Sequence, residues 1–133
     1  MRYLLDTHTL IWAITEPAKL SERVSQIIKD RNQQIIASVV NFWEISLKSA
    51  SGRIDLKGVI AEDFPTLCER MYIDILPLSA EHASTFHNLT VFAAHKDPFD
   101  RMLIWQAKCL AIPILSKDGK FKLYESEGIS VVW

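Results

Sequence analysis

Four acidic residues, far apart in the chain, stand where carboxylates could hold a divalent cation. Asp6 closes the apolar run Tyr3-Leu4-Leu5, and Glu44 lies in Asn41-Phe42-Trp43-Glu44-Ile45. Asp100 belongs to Asp97-Pro98-Phe99-Asp100-Arg101, and Asp118 follows Leu115-Ser116-Lys117. Carboxylates brought together raise one another's pKa values, so a shared site requires added positive charge. An all-oxygen site of this kind suits Mg2+ or Mn2+, which keep waters and leave positions open for phosphate oxygens. Each acid also has an ordinary structural use. Asp6 and Asp118 suit strand ends and turns, the latter beside Gly119. Glu44 can serve a capping box with Asn41 or pair with Lys48 one turn on. Taken singly these uses stay open, and only a common location of the four points to chemistry.

Asp100 has the most telling local context. Asp97 is suited to cap a helix, with Pro98 at the first helical position, where a missing N–H costs nothing. Asp100 then falls in the first turn and suits the helix dipole. It also heads the i, i+3, i+4, i+7 stripe with Leu103, Ile104 and Ala107, the face expected to meet the core. A carboxylate on such a stripe needs a partner, because burying an unpaired charge is costly. Asp97 itself reads as a cap.

The elements that must position these acids alternate. Short apolar runs at Tyr3–Leu5, Ile35–Ala37, Ile73–Leu76, Ile112–Leu115 and Ile129–Trp133 read as strands. Between them, helices are expected over Thr7–Ile14, Glu22–Arg31, Ser38–Ala50, Gly58–Met71 with a break at Pro65, Ser79–Leu89 and Asp97–Leu110. A short helical turn should follow Asp118-Gly119. Continuously apolar strands separated by helices predict an α/β fold, a three-layer α/β/α sandwich around a five-stranded parallel sheet, in a single domain over residues 1–133. In such a sheet ligands collect beyond the carboxyl ends of the strands, where the strand order reverses. Asp6, Glu44, Asp100 and Asp118 all fall near that rim.

Composition narrows the function classes. A formal net charge of −1 over 133 residues removes bulk basicity as a sign of nucleic-acid binding, though not a local patch. Cys68 and Cys109 form no C-x-x-C and suggest buried thiols in a reducing compartment. The N-terminus lacks the form of a signal peptide and no run is long enough for a membrane span, so a cytoplasmic protein with no membrane partner is expected. His8, His82, His87 and His95 show no zinc spacing, and neither G-x-S-x-G nor a glycine-rich phosphate loop occurs. Trp12, Trp43, Trp105 and Trp133 read as core or interface residues rather than base-stacking platforms.

Together the segments Leu4-Leu5-Asp6-Thr7-His8, Trp43-Glu44-Ile45-Ser46-Leu47-Lys48, Asp97-Pro98-Phe99-Asp100-Arg101 and Leu115-Ser116-Lys117-Asp118 resemble the PIN-domain family, and within it the VapC-type toxins of bacterial toxin–antitoxin pairs. The resemblance spans essentially the whole chain, in order and spacing. It implies a metal-dependent ribonuclease whose acidic quartet is Asp6, Glu44, Asp100 and Asp118. Asp6 and Asp100 would be direct ligands, with Glu44 and Asp118 completing the site directly or through water. Thr7 and Ser116 stand where a hydroxyl supports the acids. An RNA substrate, a homodimer and a cognate antitoxin whose tail occludes the site are implied as well. Lys117 departs from the small residue common at its place, and could face an acid or a phosphate. Arg101 and Lys48 are candidates for phosphate contacts, with salt-bridged or solvated roles as the alternative.

Rival readings are another metal-dependent nuclease or phosphatase, or a PIN-like binding module without catalysis. A haloacid-dehalogenase-type phosphatase would place Asp two residues after its nucleophile, where His8 stands. A receiver-like domain would want an acceptor Asp after the third strand, where Pro77-Leu78-Ser79 stands. The presence of all four acids argues against a decayed site.

Overall fold

The computed structural model describes residues 1–133. Five strands, β1 (Arg2–Leu5), β2 (Gln34–Ser38), β3 (Ile73–Leu76), β4 (Ile114–Leu115) and β5 (Val131–Val132), form one parallel sheet in the order β3-β2-β1-β4-β5. The helices are α1 (Thr7–Thr15), α2 (Glu22–Lys29), α3 (Val39–Ala50), α4 (Phe64–Arg70), α5 (Ala80–Thr85) and α6 (Pro98–Leu110).

Strand side chains alternate between faces, and the two faces bury separate cores. Leu4 pairs in register with Ile36 and Ile114, and all three enter one core with Leu103, Ile104 and Ala107 of α6 and with Phe121 and Tyr124. Leu5, Ile35, Ala37 and Leu115 enter the other with Leu10 and Ile11 of α1, Val24 of α2, and Phe64 and Cys68 of α4. The result is the expected α/β/α sandwich. No helix is long and apolar enough to cross a membrane.

Several boundaries differ from the sequence expectation for local reasons. Pro113 lacks an N–H and confines β4 to Ile114–Leu115, although its carbonyl still accepts from the Leu4 N–H at 3.0 Å. Pro65 opens α4 in its first turn instead of kinking a longer helix, and residues 58–60 are not helical. The helix expected over Ser79–Leu89 is α5 followed by a 3-10 turn at Phe86–Asn88. The turn after Asp118 extends as a 3-10 run over Gly119–Glu127, ended by Gly128 at φ +86°.

Buried polar side chains tie the carboxyl ends of the strands to the helices that start there. Asn41 Oδ1 accepts from the Ser38 N–H at 2.7 Å, completing a capping box at the head of α3. Its Nδ2 donates to the Leu5 carbonyl at 3.2 Å and to Thr7 Oγ1 at 2.9 Å. Ser38 Oγ donates to Gln106 Oε1 of α6 at 2.6 Å, and Gln106 Nε2 donates to the Pro77 carbonyl at 3.2 Å. One connected network therefore fixes β1, α1, α3 and α6 against one another. Replacing Asn41 by Ala takes a partner from buried polar groups on β1, β2 and α1, so Asn41→Ala is expected to cost about 2–3 kcal/mol. Urea unfolding with an unchanged m-value would measure it, and a loss under about 1 kcal/mol would show that the carboxamide does not join these elements.

Candidate metal centre

The strand order reverses at β1, with β2 and β3 on one side and β4 and β5 on the other. The crevice expected at that switch point lies beyond Leu5 and Leu115. Asp6 is the residue after β1, and Ser116 to Asp118 follow β4. Helices α3 and α6 bring Glu44 and Asp100 over the same rim.

Asp6 is 4% exposed and caps α1, accepting from the His8 N–H at 3.3 Å. Ser116 Oγ donates to its other oxygen, Oδ2, at 2.6 Å. The Ser116 hydroxyl in turn accepts from the Asp118 N–H at 3.1 Å, so it braces both acids. Glu44 is 1% exposed, with Oε2 paired to Lys48 one turn along α3, while its buried Oε1 has no partner. Asp97 caps α6 through Oδ1, which accepts from the Asp100 N–H at 3.0 Å. Asp100 Oδ2 lies 3.2 Å from Nε2 of the buried His95. Carboxylate oxygens of Glu44, Asp97 and Asp100 all lie within 4.8 Å of one another. Asp118 is exposed at the mouth and caps the 3-10 run, accepting from the Lys120 N–H at 2.9 Å.

All five acids line one polar cavity of about 280 Å3, together with His8, His95, Lys48, Lys96 and Lys120 and with no apolar side chain. Five carboxylates against three lysines leave it negative. Burial raises the Asp6 pKa, and the field of Glu44 adds to this against the opposing hydrogen bond from Ser116 and the nearby His8. Asp100 is pushed up to about 8, first by burial and then by the fields of Asp6, Asp97, Glu44 and Asp118. Burial lowers the His95 pKa. Burial also opposes the charge of Lys48, but the hydrogen bond and field of Glu44, with Asp97 and Asp100 behind, outweigh it and raise the Lys48 pKa. Hard oxygen donors, an unpartnered buried carboxylate oxygen and a net negative charge fit a hard divalent cation.

The sequence model of the PIN domain matches residues 3–126. The chain belongs to the PIN-domain family. No curated protein matches it. Among solved structures, this PIN domain is similar to VapBC2 from Rickettsia felis bound to a fragment of promoter DNA, at 16% identity and a TM-score of 0.67, with 99% of this chain and 98% of that one covered. It is similar to VapBC-1 from nontypeable Haemophilus influenzae, at 18% identity and a TM-score of 0.65, covering 99% and 97%. It is also similar to FitAcB from Neisseria gonorrhoeae, at 21% identity and a TM-score of 0.58, covering 98% and 96%. These likenesses establish the PIN fold.

The structure brings Asp6, Glu44, Asp100 and Asp118 to one cavity and adds two residues. Asp97 is expected chiefly to cap, with metal contact as the lesser alternative; capping occupies one of its oxygens and leaves the other without a protein partner. His95 shows no zinc-type spacing to the other histidines or cysteines, and its partners are Asp100, five residues on, and Tyr124, 29 residues away. Of the expected hydroxyl supports, Ser116 touches the acids, whereas the Thr7 hydroxyl accepts from Asn41. Lys48 lines the cavity, bridged to Glu44. Arg101 does not line it; rotated about 100° from Asp100 on the helix, it donates to the carbonyls of Leu89 and Thr90, each at 3.1 Å. Lys117 pairs with no acid, its Nζ lying 5.8 Å from the centre of the Trp12 ring. Trp43, expected in a core or interface, is 61% exposed and packs edge-on to Phe99 at 5.0 Å.

The raised pKa of Asp100 makes a signed prediction. The folded state holds this proton more tightly than the unfolded chain, so in chelator stability falls as pH rises from about 4 to about 8. Asp100→Asn removes that penalty. At pH 8 in EDTA the variant should melt several degrees above wild type, with the gap closing toward pH 4, and Mn2+ should stabilise wild type far more than the variant. A variant that melts lower at pH 8 would mean that Asp100 serves only its helix.

Proposed function

We propose that this PIN domain is a divalent-metal-dependent endoribonuclease, using Mg2+ or Mn2+, and the toxin of a toxin–antitoxin pair. The observation that carries this reading is Glu44 Oε1, a buried carboxylate oxygen without a partner in a slot shared with Asp97 and Asp100. Asp6 and Asp100 would hold the cation directly, with Glu44 and Asp118 completing the set directly or through water, and Asp97 is added to the candidates. When bound, such a cation supplies Lewis acidity toward a phosphodiester and acidifies water.

The chain's own residues supply the rest. Lys48, Lys96 and Lys120 line the acid slot and offer positive charge for the flanking phosphates of a strand. Glu44, buried in the slot, and Asp118, exposed at its mouth, are the two candidates to orient or deprotonate an attacking water. Ser116 aims Asp6 by donating to one of its oxygens, a bond that favours the carboxylate against the opposing effect of burial. The whole of residues 1–133 acts as one domain in the cytoplasm. The VapBC structures sharing this fold support an antitoxin partner, and a homodimer belongs to the same reading.

Single-stranded RNA and DNA of matched sequence, each with Mg2+, Mn2+ or EDTA, test the proposal. Internal cleavage of RNA is expected with either metal and none in EDTA. Glu44→Gln and Asp100→Asn should each lower the rate by roughly 100-fold or more, the scale of losing one preorganised electrostatic group. Cleavage of DNA alone would retain the nuclease and remove the RNA assignment. Cleavage surviving EDTA, or none of either polymer, would sink the reading.

A further inference from the structure

His95 and Tyr124 have no place in the acidic set, yet both end on it. His95 is 3% exposed, and its backbone N–H donates to the Phe92 carbonyl at 3.1 Å, closing a tight turn just before α6. Its ring lies against Phe121 and Tyr124, with centroids 5.8 and 5.5 Å away. Nε2 reaches Asp100 Oδ2 at 3.2 Å and Nδ1 reaches the Tyr124 hydroxyl at 2.8 Å. Tyr124 is fully buried, and that imidazole nitrogen is the only partner of its hydroxyl.

Donor and acceptor roles in this chain are determined from one end. A carboxylate that binds a cation is ionised and can only accept hydrogen bonds. Nε2 must then carry the proton and donate to Asp100. In a neutral imidazole Nδ1 is left as an acceptor, and the Tyr124 O–H donates to it. The chain Tyr124 O–H to Nδ1, Nε2–H to Asp100 Oδ2 satisfies every polar atom in it, and the other Asp100 oxygen has no protein partner. Outer groups that orient metal-binding carboxylates in this way affect metal affinity strongly.

We propose that Tyr124 and His95 are positioning residues for the metal centre, Tyr124 fixing the imidazole tautomer and His95 aiming Asp100. The inference rests on the metal-centre reading above. Its test is the Mn2+ affinity of the apo protein, followed by electron paramagnetic resonance of the free ion, for wild type, Tyr124→Phe, His95→Gln and the double variant. Tyr124→Phe keeps the ring and removes only the hydroxyl, and should weaken Mn2+ by about tenfold, the lower end of the range for an outer-shell partner. A glutamine amide at position 95 donates without any tautomer to be fixed. His95→Gln should therefore retain part of the affinity, and adding Tyr124→Phe to it should change nothing further. Equal Mn2+ affinity in wild type and Tyr124→Phe, or the same loss from Tyr124→Phe in both backgrounds, would overturn the positioning role while leaving the metal centre in place. Failure of wild type to bind Mn2+ would overturn both.

Discussion

Mutual repulsion among carboxylates in a partly buried slot is the constraint on which the rest of this structure bears. Asp6, Glu44, Asp97, Asp100 and Asp118 share one cavity, and the fields of the other four all act on Asp100. Left to themselves such groups would swing apart into solvent or take up protons. Three of them are held by the same device. Asp6, Asp97 and Asp118 are each the N-cap of a helical segment, with one oxygen taking a backbone N–H from His8, Asp100 and Lys120 respectively. The amino ends of three segments thus converge on the slot, and their unpaired N–H groups and dipoles partly offset the negative charge. Glu44 is held differently, by Lys48 one turn away on its own helix. Capping and cation binding are therefore not competing explanations of these acids. A cap occupies one oxygen and fixes the side chain; the second oxygen has no protein partner in Asp97 and Asp118 and accepts from Ser116 in Asp6.

A site under this strain needs a rigid frame, and the frame is the pair of cores. Helix α3 reaches both, through Val40 on one face of the sheet and Ile45 on the other, which leaves Glu44 between them no freedom to retreat. The network of Thr7, Asn41, Ser38 and Gln106 then locks α3 to β1 and α6 at the level of the slot. The apolar packing supplies the stability that the acids oppose, the usual balance at a functional site.

How much of this was legible in the sequence followed from the range of each interaction. Strand and helix identity came from apolar runs and caps, which are local, and Asp100 was marked by its place at the head of an apolar stripe. Boundaries shifted where a backbone effect decided them, as at Pro113, whose missing N–H shortens β4, and at Pro65, which begins a helix. Arg101, next to Asp100 in sequence, is rotated away from it on the helix and donates to backbone carbonyls instead of lining the slot. His95 and Tyr124 were illegible, since nothing local links two residues that meet only when the 3-10 run folds back over the sheet. Asp97 was half legible, its cap evident and its second oxygen not.

Likeness of fold and evidence for chemistry are separate here. Solved structures at 16–21% identity share the architecture over nearly the whole chain, but architecture alone does not carry function. The weight falls on features that a merely stable sheet would have no reason to keep. Glu44 keeps a buried oxygen unpartnered in the same slot where burial and four neighbouring acids push the Asp100 pKa up to about 8. Lys48 makes the point sharper. It neutralises one oxygen of Glu44 from a partly exposed position, yet a single lysine cannot balance Glu44, Asp97 and Asp100 together. The remaining imbalance is local and lies at the switch point of the sheet. It is this imbalance that the proposed cation would offset.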